Sequence, residues 1–252
     1  DQCVPEELNR KLIDHISDIN LTYSKISREN LVREGLPSDQ IINVGSPVKE
    51  VINYMNEKIS SSKILKNLKI NEKKYLLVSL HRDENTSLKK LIYLMNEIKN
   101  LSVIFKKKII FSLHPRTMKI LNTNIKKFKN FIFLKPFKYS DYIFLQKNSF
   151  CVISDSGSLM EEASILNFPA ISLRDSTERA EGMEKGVLIM TGFNRDKLIN
   201  GINVITKNNK EDFSKLVDDY NVDNVSDKIS NIIISYIDYI NNKVWKKNVK
   251  PF

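Results

Sequence analysis

Six short, nearly uninterrupted apolar runs, at residues 75–80, 108–113, 132–135, 150–153, 170–173 and 187–190, constrain this chain more than any other feature. Helical patterns separate most of them, at 87–100, 116–126, 139–147, 158–166 and 177–185. Strands alternating with helices of this length form βαβ units, and such units build a parallel sheet with helices on both faces. Strands buried on both faces lose the alternation of apolar and polar residues and read as continuous runs, as these do. The spacing therefore predicts an α/β fold with a Rossmann-like, doubly wound parallel sheet. In such sheets ligands bind outside the carboxyl ends of the strands.

The flanks are less regular. Pro5-Glu6-Glu7 opens a helix, with proline in the first turn and carboxylates at its positive end. A strand is expected at 20–23, a helix at 24–34 stopped by Gly35 and Pro37, and a strand at 41–44. Gly45-Ser46-Pro47 reads as a hinge, and 48–68 as a solvated helical connector rich in Lys and Ser. Further helices are expected at 194–206, 212–217 and 226–242. The last carries Ile229, Ile232, Ile233, Tyr236, Ile237 and Ile240 on one side, which reads as core.

The 40 Lys and Arg exceed the 30 Asp and Glu, giving a net charge of +10. The lysines are scattered, no basic block is interleaved with aromatics, and no nucleic-acid module is present, so no nucleic-acid partner is expected. A polyanionic small ligand such as a nucleotide suits the balance equally well. Cys3 and Cys151 are far apart without a CxxC partner, which argues against a disulfide framework or a zinc site and for a reducing, cytoplasmic setting. No apolar run approaches the roughly 18 residues that a membrane span needs, so no membrane partner is expected. The chain begins at Asp1, in what reads as a loop, a first sign of a fragment.

Candidate chemistry gathers at the ends of the apolar runs. Asp155-Ser156-Gly157-Ser158 precedes a helix, where small residues leave backbone N–H groups open to an anion such as phosphate. An ordinary N-cap by Ser156 or Ser158 accounts for the motif equally well. Of Glu161 and Glu162, one suits the helix dipole and the other could reach ribose hydroxyls. Arg174 and Arg179 bound a charged loop after another strand and suit bidentate contacts to oxyanions. His81, with Arg82 beside it, and His114 each follow an apolar strand directly, and two histidines at one sheet edge point to a shared pocket. A ring at Tyr139 or Tyr142 could stack on a base, although helix packing explains both. Spacing alone assigns no chemistry to Glu6 or Arg10. The Gly-rich dinucleotide fingerprint is absent.

With these residues in hand, the chain resembles the non-hydrolysing bacterial UDP-N-acetylglucosamine 2-epimerase family. PEELNRKLIDHISD, HRDEN, DSGSLMEEAS and RDSTERAEG carry the resemblance, in the family's order and at roughly its spacing. The tail from 219 most resembles a subgroup that makes capsule and O-antigen sugars, including 6-deoxy sugars on the route to N-acetyl-L-fucosamine. The resemblance implies two Rossmann-like domains in a glycosyltransferase-B-like arrangement. It implies that residues 1–47 are the remnant of the first domain, 48–225 the UDP-binding second domain, and 226–252 a helix crossing back to the first. It implies a UDP-sugar substrate, no cofactor, no metal, and a homodimer at full length. By position, Glu6 falls on the family's catalytic acid and Arg10 on its partner. His81 falls on the active-site histidine, with Arg82 beside it. Ser156, Gly157 and Ser158 match the diphosphate loop, Glu162 the ribose-binding glutamate, Arg179 the arginine that contacts sugar or phosphate, and Tyr142 an aromatic ring on uracil.

Three positions depart from the family pattern: Ser158 where Gly is common, Ala180 where Pro is usual, and Asp83 where Arg or Glu is commoner. They bear on the identity of the sugar more than on the nucleotide. The resemblance implies C2 epimerisation by elimination and re-addition of UDP. The alternatives are a hydrolysing epimerase or glycosyltransferase of the same fold and, for this chain alone, a non-catalytic UDP-binding module.

Overall fold

The computed structural model describes residues 5–80, 87–113, 115–207 and 215–247. In chain order its elements are α1 (Pro5–Ile16), β1 (Asn20–Thr22), α2 (Lys25–Arg33), β2 (Ile41–Asn43), α3 (Val48–Tyr54), α4 (Asn56–Ser60), α5 (Ile64–Leu68), β3 (Tyr75–Leu80), α6 (Leu88–Phe105), β4 (Lys108–Leu113), α7 (Pro115–Leu121), β5 (Phe131–Leu134), α8 (Tyr139–Asn148), β6 (Cys151–Ser154), α9 (Leu159–Leu166), β7 (Ala170–Ser172), α10 (Ala180–Glu184), β8 (Ile189–Met190), α11 (Arg195–Lys207) and α12 (Val225–Tyr239). They form two compact units, Ile52–Val217 and the pairing of Asp1–Val51 with Asp218–Phe252.

The larger unit is an all-parallel sheet in the order β5-β4-β3-β6-β7-β8. Both faces are buried, as the continuous apolar runs require. Leu76, Val78 and Leu80 of β3 share one core with Ile109, Phe111 and Leu113 of β4 and with Leu91, Leu94, Met95 and Ile98 of α6. Leu198, Ile202 and Ile205 of α11 complete this face. The alternate residues Tyr75, Leu77, Ile110 and Val152 are buried as well. Tyr75 identifies what covers them, because its hydroxyl donates to the Leu145 carbonyl of α8 at 2.6 Å. Helix α6 starts at Ser87, whose hydroxyl accepts from the Lys90 N–H, and ends at Lys106 in the left-handed region.

In the smaller unit β1 and β2 pair in parallel, Asn20 opposite Ile41. Asp219 ties the chain's two ends together. Its carboxylate accepts from Asn43 Nδ2 at 2.8 Å and from the Lys25 N–H at 3.2 Å, and its carbonyl accepts from the Ser46 N–H at 2.9 Å. Lys49 pairs with Asp223 at 2.8 Å, and Trp245 Nε1 donates to Asp18. Gly45 lets the chain pass Asp219. It has φ +87°, and a Cβ there would sit 2.7 Å from Val222 Cγ2.

Several local expectations are corrected. The connector 48–68 is three short helices. Ser62 ends the second, donating to Asp141 at 2.5 Å and accepting from the Ile64 N–H, a local competition typical of serine. Helix 116–126 stops at Leu121 and continues as a 3₁₀ helix. Helix 177–185 shrinks to Ala180–Glu184, because Arg174 to Arg179 forms side-chain pairs of its own. Of 212–217, residues 215–217 are not helical and the rest lie outside the described residues. The apolar side of α12 is not core: Ile233 is 52% exposed and Ile237 51%.

Gly45→Ala is expected to lower the urea midpoint by an equivalent of about 1–3 kcal/mol, from backbone strain plus the Val222 clash. Gly35, at φ +93° with open space around it, isolates the strain. Gly35→Ala should cost less, about 1 kcal/mol. Equal losses at the two positions would remove the steric account of Gly45.

Candidate functional site

β3 and β6 are hydrogen-bonded neighbours although β4 and β5 lie between them in sequence. The chain winds outward from this pair in both directions, which opens a crevice at their carboxyl ends. Just under that edge runs a row of hydroxyls. Ser112 of β4, Ser79 of β3, Ser154 of β6 and Ser172 of β7 stand in one register across four adjacent strands. Two of them pin the loops that follow. Ser154 Oγ accepts from the Ser156 N–H at 3.1 Å, and Ser172 Oγ from the Arg174 N–H at 3.4 Å.

The loop after β6 runs through the buried Asp155 into Ser156, Gly157 and Ser158, and α9 begins at once. Neither serine caps the helix. Ser158 Oγ instead donates to Glu162 Oε1 at 3.1 Å and lies 3.1 Å from Ser156 Oγ. The N–H groups of Gly157 and Ser158 make no hydrogen bond among the described residues. Directly over them lies Arg179: a Cβ on Gly157 would sit 2.9 Å from its Nη1. A Cβ there would push the guanidinium aside, so glycine gives Arg179 room to lie over the loop.

Arg179 is held in that position. Its Nε and Nη2 donate to Glu161 Oε2 at 3.2 and 3.0 Å, and Nη1 to Glu178 Oε1 at 3.0 Å. Glu178 also receives Arg174, at 2.6 and 3.2 Å. Burial works against the Glu178 charge, but hydrogen bonding and the charge of Arg174 hold its carboxyl below its usual value. Ser156, Gly157, Arg174 and Thr177 line one depression.

Behind the loop, Glu162 is only 5% exposed. Gln146 of α8 donates to its Oε2 at 2.6 Å. Burial pushes the Glu162 carboxyl up to about 7. Hydrogen bonds from Gln146 and Ser158 pull the other way, Glu161 adds to the rise and Arg179 opposes it. Tyr142 of α8 lies beside them, its ring 6.3 Å from Phe137. Burial and the Glu162 charge hold its phenol above the normal value, against hydrogen bonding from Ser79 and Gln146. Unpaired N–H groups with two arginines suit an oxyanion, and a buried carboxylate a few residues on suits a hydroxyl. Together they suit a phosphorylated sugar.

The structure thus brings Ser156, Gly157, Ser158, Glu162, Arg179 and Tyr142 to one sheet edge. His81, Arg82 and His114 lie outside the described residues; the strands before them end in register, Leu80 opposite Leu113. Glu6 falls within α1 in the other unit. Arg10, in the same helix, is held by Glu7, Asp14 and Glu34. Sequence reasoning missed Gln146, the Glu161–Arg179 pair and the serine row. The row had a signal: VSLH, FSLH, ISDS and ISLR place serine at the same point of four strands. Gln146 had none, because a glutamine late in a helix is ordinary. Among the described residues no group of three or more His, Cys, Asp or Glu could hold a metal ion, and no helix is long and apolar enough to cross a membrane.

The family model described as UDP-N-acetylglucosamine 2-epimerase matches residues 1–234. A Methanococcus maripaludis UDP-N-acetylglucosamine 2-epimerase is 38% identical over 224 residues, which is 83% of this chain and 60% of that protein. The chain is similar to the solved UDP-N-acetylglucosamine 2-epimerase of Rickettsia bellii, with TM-score 0.88 and 44% identity over 97% of this chain and 67% of that one. It is also similar to the Methanocaldococcus jannaschii enzyme solved with UDP-GlcNAc and UDP, with TM-score 0.83 and 31% identity over 93% and 66%. The chain therefore spans about three fifths of the length of such relatives.

The buried Glu162 makes stability depend on pH. Its folded value of about 7 lies above the ordinary 4.5, so between those values the folded protein keeps a proton that the unfolded chain has released. This group's contribution to stability therefore falls as pH rises through that window. Glu162→Gln is expected to raise the urea midpoint at pH 8 by an equivalent on the order of 1–3 kcal/mol, and to change little below pH 4.5. A difference independent of pH would contradict the buried charge.

Proposed function

The chain belongs to the UDP-N-acetylglucosamine 2-epimerase family, and from that premise we propose that the protein it forms inverts C2 of a UDP-N-acetylhexosamine. The substrate in this reading is UDP-GlcNAc or a 6-deoxy analogue, for surface-polysaccharide synthesis. The observation that carries the reading is Arg179 lying across Gly157 at the start of α9, with the buried Glu162 one turn on. An arginine and unpaired N–H groups suit a diphosphate, and the carboxylate suits a ribose diol.

In the proposed reaction a base removes the C2 proton as the C1–O bond breaks. The electron pair of the C2–H bond forms the C1–C2 double bond of a 2-acetamidoglucal, and the C1–O pair leaves with UDP. Reprotonation of C2 on the opposite face and return of the UDP oxygen to C1 complete the inversion. The departing diphosphate gathers charge, so donors fixed before the event lower the barrier. Gly157, Ser158 and Arg179 serve as those donors, while Glu162 holds the ribose and so keeps UDP in place for its return. Glu6 and His81 are the proton-handling and active-site residues by resemblance.

Residues 1–47 and 226–252 belong, in this reading, to the first of two domains. The exposed apolar residues of α1 support it, with Leu8 at 62%, Leu12 at 57% and Ile16 at 79%, since a folded domain covers such a stripe. We therefore expect the 252-residue chain alone to bind UDP without turnover.

The test is C2 proton exchange in deuterated water, followed by NMR on the full-length protein with UDP-GlcNAc and a 6-deoxy analogue. Exchange with conserved UDP-sugar is expected. Free N-acetylmannosamine with UDP would mark a hydrolysing enzyme, and no exchange with either sugar would sink the reading. Arg179→Ala is expected to weaken UDP binding about 10- to 100-fold by calorimetry, the loss of a charge-assisted contact of about 1.5–3 kcal/mol. Unchanged affinity would remove Arg179 from the site.

A further inference from the structure

Glu162 is gripped at both oxygens by donors from separate elements. Ser158 reaches Oε1 at 3.1 Å from the start of α9, and Gln146 reaches Oε2 at 2.6 Å from α8. Gln146 is fully buried, and its own Oε1 has no hydrogen-bond partner among the described residues. A buried amide oxygen left unpaired gives up its bonds to water without replacing them, which is unfavourable. A side chain serving packing alone would be replaced at lower cost by an apolar one of the same volume. The orphaned oxygen is the consequence of turning the nitrogen to Glu162. An ionised carboxylate only accepts hydrogen bonds, so it fixes which end of the amide faces it.

A carboxylate oxygen has more than one accepting direction. With Gln146 on Oε2 and Ser158 on Oε1, the remaining directions are set, and the carboxylate cannot rotate without breaking both bonds. Vicinal hydroxyls of a ribose are matched by two oxygens held in a fixed plane. We propose that Gln146 is a positioning residue that fixes the Glu162 carboxylate to accept the ribose hydroxyls of the nucleotide, and so makes the site selective for ribonucleotides over 2′-deoxyribonucleotides. The proposal rests on the reading of Glu162 as the ribose contact. Its effect also runs through charge. The Gln146 bond favours the ionised form, with Tyr139 and Tyr142 of α8, Glu161 of α9 and Arg179 as the other titratable groups around it.

The experiment measures calorimetric affinity for UDP and 2′-deoxy-UDP across pH 6–9, in the wild-type full-length protein and in Gln146→Met, Gln146→Asn and Glu162→Gln. Met keeps the volume, and Asn keeps the amide but withdraws it by one methylene. Wild-type discrimination against 2′-deoxy-UDP is expected to fall at least fivefold in both Gln146 variants. The pH midpoint at which UDP affinity is lost is expected to move upward, a shift that loosened packing alone would not produce. If both variants keep the wild-type discrimination and midpoint while Glu162→Gln loses them, the proposal is overturned and the ribose reading stands. If Glu162→Gln discriminates as the wild type does, the ribose reading itself fails. Should the Gln146 variants not fold, the ¹⁵N-labelled side-chain amide of Gln146 in the wild-type protein decides. Its resonances are expected to move with UDP and less with 2′-deoxy-UDP, and equal movement with both would overturn the proposal.

Discussion

Two carboxylates, Glu161 and Glu162, are withdrawn from water in the first turn of α9, and each must therefore be partnered. The helix dipole favours negative charge at this end but cannot replace hydration alone. Glu161 is neutralised by Arg179, which fixes the guanidinium over Gly157. Among the described residues Glu162 makes no direct ion pair, and two neutral donors, Gln146 and Ser158, support it. The different partners give the two residues different work. In the proposed reading one aims a cation at the place a diphosphate would occupy, and the other presents a carboxylate to the ribose hydroxyls.

These partners arrive together because of the sheet. A parallel sheet buried on both faces leaves its strands little room for polar side chains except near their ends. In this chain the row of Ser112, Ser79, Ser154 and Ser172 lies one residue short of the buried Leu113, Leu80, Asp155 and Leu173 that end the strands or follow them. Beyond it the β6 and β7 loops carry Asp155 to Ser158 and Arg174 to Arg179, and the reversal between β3 and β6 opens a crevice at the carboxyl ends of the strands. The serines are small enough to stay in the sheet and polar enough to hold the loops to it.

The smaller unit depends on a different device. Its two-stranded sheet is too small to bury much, and the polar contacts of Asp219 join β2 and the start of α2 to the chain's carboxyl end. The apolar residues left outward on α1 and α12 separate what a helical pattern states from what a helix buries. Periodicity fixes the face a helix would turn to a partner, and only the surrounding structure decides whether that partner is present.

The sequence by itself determined the parallel α/β architecture, the strand positions to within a residue or two, and the polar loop at 155–158. Those features follow from local rules: unbroken apolar runs, helical spacing, and small residues before a helix. It also pointed to Glu162 and Arg179 by resemblance. Only the tertiary structure decided that Ser158 serves Glu162 and not the helix end, that Glu161 belongs to Arg179, and that Gln146 reaches Glu162 from 16 residues away. The reason is physical. A buried charge chooses its partners by distance in space, and residues far apart along the chain become neighbours only when strands and helices pack.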